Sequence, residues 1–316
     1  MTTIQRGRNS IAPTSRSTAD SVRGSGAPAT NTVQPSPTGA TAQRGLVVDG
    51  FDSRSAQTAA VGGVFTAPAG SKDKVFDGKL VGAGGQTFEP NTPLNQVPAF
   101  VPANNPNATA TVVYVNGIST NKDGQARELQ ALANSTGMRA IGVHNATSGM
   151  IADVIQAAKD KLNKGKNPAV DSLSDIVYNE LKAGRDIHLM GYSHGGLITS
   201  RALKDVANRL RIEDGMSKAQ VEQTLGRVNV ETFGAAAATY PDGPNYVHYV
   251  NNKDPVPLLF GQGSKGWTPG DLFRDAGKGA QVHHFSEKGM FSGAHSLTET
   301  YLNHRAPFDE ARAGNF

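Results

Sequence analysis

The chain has 316 residues, 37% of them hydrophobic, no cysteine and a formal net charge of +4. The cysteine count excludes disulfides, thiolate metal sites and a cysteine nucleophile, and no uninterrupted apolar stretch approaches the roughly 20 residues that a membrane-spanning helix needs. The charge excess does not point to nucleic acid: Arg6, Arg8, Arg16, Arg23 and Arg44 against the single acid Asp20 account for all of it, so the chain from residue 45 onward is formally neutral.

Residues 1–44 hold six serines, eight threonines and no aromatic side chain. Such a segment buries too little apolar surface to offset its ordering entropy, and we read it as a disordered tail. Its first 20 residues, MTTIQRGRNSIAPTSRSTAD, contain no apolar core of a secretory signal peptide. A Ser/Thr-rich, acid-poor leader of this kind resembles the export segments of bacterial effectors that leave the cell without a cleavable signal; a cytoplasmic protein is the other expectation. Residues 45–108 form a Gly/Pro-rich extension with short apolar pieces, GLVVDG and KVFDGKLVG, expected as short strands or extended connections. TPLNQVPAFVPANNPNA is expected to be extended, because each proline biases its predecessor away from helix.

From residue 109 the pattern becomes regular. TATVVYV (Thr109–Val115) is β-branched and apolar, which predicts a buried strand. Ala126, Leu129, Leu132 and Ala133 recur at helical spacing, and MRAIGVH (Met138–His144) predicts a second strand. Ile151, Val154, Ile155, Ala158 and Leu162 mark one helix face. Leu173, Ile176, Val177 and Leu181 mark another, with Asp171 or Ser172 as its expected N-cap. DIHLMG (Asp186–Gly191) predicts a third strand, followed by Ile198, Ala202, Val206 and Leu210 in four-residue steps. A further helix is expected at Ser217, where Gln220 completes a capping box. RVNVETFG, NYVHYV and AQVHHF predict three more strands. Strands alternating with helices imply an α/β layered fold with a mostly parallel sheet and helices on both faces.

Between the third strand and its helix stands Gly191-Tyr192-Ser193-His194-Gly195, a G-x-S-x-G. A serine at a sharp strand-to-helix turn has a strained backbone, and side chains two positions away on either side would collide, hence Gly191 and Gly195. The turn raises the hydroxyl above the sheet's carboxyl edge, at a helix N-terminus that favours negative charge. A hydroxyl at its ordinary pKa is a poor nucleophile. It needs a base, an acid that orients the base, and donors for the oxyanion. Asp254 follows the strand NYVHYV, in a loop stiffened by Pro255 and Pro257; Asp242, before that strand, is the rival acid. His295 lies in a glycine-bearing loop, FSGAHSLTETYL, ahead of a helical pattern, where its ring could reach over the serine. His283 and His284 are the rival bases. His188 and His248 fall within strands and read as core or sheet-face histidines, and His144 lies at a strand end upstream of the serine. The oxyanion donors are expected to be the N–H of His194 and, after the first long strand, the N–H of Ile118, with Asn116 and Gly117 forming the turn. The plain alternative is that Asn-Gly is an ordinary turn dipeptide.

GYSHGG, the chain order Ser193, Asp254, His295 and the turn after an early strand resemble the α/β-hydrolase superfamily. VNGIST, DPVP and HSLTETYL resemble bacterial lipase- and esterase-like members, and the resemblance spans residues 109–305. It implies ester hydrolysis through an acyl-enzyme, with Ser193, His295 and Asp254 as the triad and without metal or cofactor. This chain departs from many members in carrying Asn-Gly where they carry His-Gly. Trp267 and Phe273, between acid and base, and Phe291 are candidates for a cap or acyl pocket. The expected substrate is an ester, including lipid and phospholipid esters, with peripheral membrane contact as a corollary and no nucleic-acid partner. Two other readings share the motifs: a protein-binding member of the fold that has lost turnover, and an acyltransferase or peptidase using the same triad. Oligomeric state is not legible here.

Overall fold

The computed structural model describes residues 73–149, 167–263, 274–287 and 293–316. The tail at 1–44, the extension up to residue 72, the helix face marked by Ile151 to Leu162, and Trp267, Phe273 and Phe291 lie outside them. Eight strands form one sheet: β1 (Leu80–Val81), β2 (Thr87–Phe88), β3 (Thr111–Val115), β4 (Arg139–Val143), β5 (Ile187–Tyr192), β6 (Val228–Phe233), β7 (Asn245–Asn251) and β8 (Gln281–Phe285), in the order β2-β1-β4-β3-β5-β6-β7-β8. From β4 through β8 neighbouring strands are parallel; β1 runs antiparallel to both β4 and β2. The described part of the N-terminal extension thus supplies the sheet's antiparallel edge.

The helices are α1 (Lys122–Thr136), α2 (Pro168–Lys182), α3 (His194–Ile212), α4 (Lys218–Leu225) and two short ones, α5 (Pro255–Phe260) and α6 (Phe308–Arg312). They cover both faces, and the strand sequences follow from that. A strand buried on both sides reads as a continuous apolar run rather than an alternation. In β3, Val113 and Val115 pack with Leu189, Val230, Leu173 and Ile198 toward α2 and α3, while Val112 and Tyr114 pack with Met190, Phe233, Leu129 and Leu297 toward α1 and the C-terminal segment. Truncating a core side chain such as Leu189 to alanine should cost about 2–5 kcal/mol. Among the described residues no helix is long and apolar enough to cross a membrane.

Two helix starts differ in how well local chemistry announces them. Ser217 and Gln220 make the expected capping box, the Ser217 N–H donating to Gln220 Oε1 at 2.8 Å. Helix α2 starts one turn earlier than expected: its N-cap is Asn167, not Asp171 or Ser172. The Asn167 side chain accepts the Val170 N–H at 3.1 Å. Pro168 fills the first helical position, where a missing N–H costs nothing.

The topology decides where a site forms. From β3 the chain passes outward through α1 to β4, then returns through α2 to β5 on the other side of β3. Strands β3 and β5 therefore flank a switch point, and the loops leaving their carboxyl ends diverge to leave a crevice.

Candidate active site

Strand β5 ends at Tyr192 and α3 begins at His194, so Ser193 alone makes the turn, at φ 54° and ψ −120°. A backbone in this region costs on the order of 1–3 kcal/mol and persists only where its surroundings fix it. Here the Ser193 N–H donates to the Phe233 carbonyl at 3.0 Å, and the Ser193 carbonyl accepts from the N–H groups of Gly196 and Ala236 at 3.1 and 3.0 Å. The flanking glycines are steric requirements. A methyl group on Gly195 would lie 2.1 Å from the Val115 carbonyl oxygen, and one on Gly191 would lie 2.8 Å from the Gly196 Cα. The first turn of α3 is packed directly on the end of β3.

Strand β7 delivers Asp254. The segment after it, expected as a proline-stiffened loop, is the short helix α5, with Asp254 as N-cap and Pro255 opening it. Asp254 Oδ1 accepts the Val256 N–H at 2.9 Å. Its Oδ2 takes two further groups, His295 Nδ1 at 2.5 Å and the Tyr301 hydroxyl at 2.5 Å. His295 Nε2 lies 2.8 Å from Ser193 Oγ. With Nδ1–H donated to the carboxylate, Nε2 is left as the acceptor for the serine hydroxyl. Ser193, His295 and Asp254 are 1%, 3% and 0% exposed, so the two contacts that join them lie in a site largely shielded from water, where each is stronger than in solvent.

His295 lies in a loop, as expected, but the stretch after it is not the helix its pattern suggests. It is a run of turns leading into a 3-10 helix at Tyr301–His304. Side chains hold carbonyls that an α-helix would bond internally: Thr300 Oγ1 donates to the Gly293 carbonyl at 2.7 Å, and Asn251 Nδ2 donates to the Ala294 carbonyl at 3.0 Å. The Tyr192 hydroxyl donates to the His295 carbonyl, and the two rings stack with centroids 5.0 Å apart.

The rival residues are engaged elsewhere. Asp242 accepts the Lys278 N–H at 3.1 Å in an exposed loop. His283 stacks on Phe316 at 4.2 Å, and His284 Nδ1 faces Asn252 Oδ1 at 3.1 Å. His188 bonds Glu231 at 2.9 Å. His248 lies between Thr232 Oγ1 and the Ala276 carbonyl, and His144 Nδ1 meets Gln125 Oε1 at 2.8 Å. Burial lowers the pKa of His144, His194 and His248 to about 4, so all three are neutral near pH 7.

The turn Asn116-Gly117-Ile118 leaves β3 beside the serine. A methyl group on Gly117 would stand 3.3 Å from Ser193 Cβ and 3.1 Å from the Tyr192 ring. Asn116 and Asn145, at the adjacent ends of β3 and β4, bond each other reciprocally. Asn145 N–H donates to Asn116 Oδ1 at 2.8 Å, and Asn116 Nδ2 donates to the Asn145 carbonyl at 2.9 Å. Among the described residues no hydrogen bond takes the N–H of Ile118 or of His194.

The structure therefore brings Ser193, Asp254 and His295 together, with the Asn116–Ile118 turn and His194 beside them. Tyr301 and Asn145 join the site without having been expected there. No spacing rule links Tyr301 to the acid it bonds, whereas Asn145 does carry a signal, since it closely follows a strand next to the switch point. Among the described residues no group of three or more histidine, aspartate or glutamate side chains is arranged to hold a metal ion. No protein-family model matches the chain, and no match was found among curated proteins or solved structures.

Proposed function

We propose that this protein is a serine carboxylester hydrolase of the α/β-hydrolase type, acting on carboxylic esters that include lipid and phospholipid esters. The observation that carries the reading is the continuous contact from Asp254 through His295 to Ser193, at 2.5 and 2.8 Å, made by residues 41 and 102 positions apart in the chain. Chance packing rarely aligns a buried carboxylate, both nitrogens of one imidazole and a strained serine at a helix N-terminus.

The chemistry follows from the contacts. His295 Nε2 removes the hydroxyl proton as Ser193 Oγ bonds the ester carbonyl carbon, while Asp254 orients the ring and stabilises the imidazolium. The carbonyl oxygen becomes an oxyanion, for which the N–H groups of His194 and Ile118 are the available donors. As the tetrahedral intermediate collapses, the C–O bond to the leaving group breaks and Nε2–H returns the proton to the departing alkoxide. Water, deprotonated by the same nitrogen, then releases the acid and restores Ser193.

The test is hydrolysis of aryl esters over a range of acyl lengths, then of phospholipid, alongside labelling by a fluorophosphonate. Turnover together with labelling at Ser193 is expected. A properly folded protein that stays unlabelled while a known hydrolase labels in parallel would overturn the reading in favour of a binding protein built on the same fold.

A further inference from the structure

The clasp between Asn116 and Asn145 reaches further than the two strand ends it joins. Asn145 Nδ2 lies 3.0 Å from His194 Nδ1, 3.2 Å from the Asn116 carbonyl and 3.4 Å from the Gly117 carbonyl. The amide's orientation is fixed on its other side, because Oδ1 accepts the Thr147 N–H at 3.1 Å. His194, held neutral by burial, offers Nδ1 as an acceptor. One amide nitrogen thus touches both loops that supply an oxyanion donor. The neighbouring backbone is strapped the same way, Ser119 N–H donating to the Thr147 carbonyl at 2.8 Å.

Peptide geometry gives this contact a consequence. The Gly117 carbonyl and the Ile118 N–H belong to one trans peptide unit and point in opposite directions. That carbonyl takes a short bond from Asn116 Nδ2, at 2.9 Å, and a longer contact from Asn145 Nδ2, at 3.4 Å, so the Ile118 N–H is turned away from both. Released from these donors, the Gly117–Ile118 peptide would be free to rotate about its glycine, taking the N–H out of place. We propose that Asn145 is a positioning residue that fixes both oxyanion donors, orienting the Ile118 peptide through the Gly117 carbonyl and holding His194 through its ring. The inference rests on the ester-hydrolase reading and adds a residue to it.

Turnover of an aryl or lipid ester together with fluorophosphonate labelling of the wild type decides that underlying reading, and a folded protein that shows neither overturns both. Given turnover, Asn145→Ala should lower kcat by about 10- to 100-fold, the lower range for loss of an oxyanion donor, while KM stays within about threefold. Asn145→Asp is the second variant. It keeps the shape and the acceptor for Thr147 but sets a carboxylate oxygen against the Asn116 and Gly117 carbonyls, so its kcat should fall at least as far. Both variants should weaken a trifluoromethyl ketone, which mimics the tetrahedral adduct, by the same factor as kcat/KM. Turnover is counted per folded molecule, with folding followed by circular dichroism. Wild-type kcat in a folded variant, or a loss confined to KM, would overturn the role given to Asn145 and leave the ester-hydrolase reading standing.

Discussion

Two buried carboxylates, one on a strand and one just beyond a strand end, each hold a histidine, and only one of the two pairs is arranged for chemistry. Asp254 and Glu231 are both 0% exposed. Glu231, on β6, meets His188 of the neighbouring strand at 2.9 Å, but it also takes two hydrogen bonds from Arg305, at 2.8 and 2.9 Å. Burial by itself would raise the Glu231 pKa; the His188 hydrogen bond and the Arg305 charge together bring it below its ordinary value. Asp254 is held by neutral donors, His295, Tyr301 and the Val256 N–H. A carboxylate already matched to a guanidinium gains little from a second cation. One held by neutral donors can stabilise an imidazolium as it forms. The far nitrogen completes the contrast, since His295 presents its own to a serine hydroxyl.

The largest expected effects test that division directly. Ser193→Ala, His295→Ala and Asp254→Ala should each lower kcat by roughly 10⁴- to 10⁶-fold without adding, because the three act as a unit. Chemical denaturation should show them folded. Full activity in Asp254→Ala would show that His295 acts without the carboxylate on its Nδ1. The Glu231 cluster should respond the other way. Arg305→Met strands a buried charge and should cost about 3–5 kcal/mol of stability, with kcat per folded molecule within about twofold of wild type. Replacing both partners, Glu231→Leu with Arg305→Met, should recover most of that loss. A kcat that falls with Arg305→Met while the protein stays folded would break the comparison.

The same contrast explains what the sequence discloses. Ser193 is legible because its turn imposes steric demands on Gly191 and Gly195, and such demands are local. Asp254 is legible from its place after a strand, although the helix it caps is not. His295 stands out among eight histidines by loop context. The features that stay hidden are long-range. The Arg305–Glu231 pair joins residues 74 apart, and Tyr301 meets Asp254 across 47. No periodicity encodes either, because only the packing of the C-terminal segment on the sheet brings them together. The start of helix α2 escapes for a local reason: Asn167-Pro168 caps and opens it one turn before its apolar stripe becomes visible.

A smaller effect sharpens the Asp254 side. Tyr301 donates to the oxygen that receives His295 and accepts the Asn251 N–H at 3.3 Å. Burial first, then the adjacent Asp254 charge, raise its pKa well above the ordinary value, so it remains a donor throughout the working range. Tyr301→Phe removes one of three hydrogen bonds to the carboxylate. Bonds of this charged type contribute about 1.5–3 kcal/mol, and because His295 and Val256 still hold Asp254, only part of that should reach the transition state. Steady-state kinetics should show kcat reduced by about tenfold with little change in KM. An unchanged kcat would mean that two donors suffice to orient the acid.

Acid should separate the two kinds of buried group most finely. His144, His194 and His248 titrate near about 4 when folded, against an ordinary value of 6.5. Between those values the unfolded chain binds protons that the folded chain does not, so stability is complete above about pH 6.5 and falls as the pH drops toward 4. Each such histidine contributes at most about 1.4 kcal/mol per pH unit in that window. Glu231 acts lower on the scale. Its pKa is depressed from 4.5, so its contribution is complete above 4.5 and is lost only as the pH falls through the folded value. Between about pH 5 and 6.5 the slope of stability should therefore come from the neutral histidines rather than from the ion-paired carboxylate. His248→Gln, which can still reach Thr232 and the Ala276 carbonyl, should reduce that slope by about one proton, measured by denaturant unfolding at several pH values. A slope left unchanged by His248→Gln would place the proton-linked strain outside the buried neutral histidines, and the division between a neutralised carboxylate and an available one would have to be redrawn.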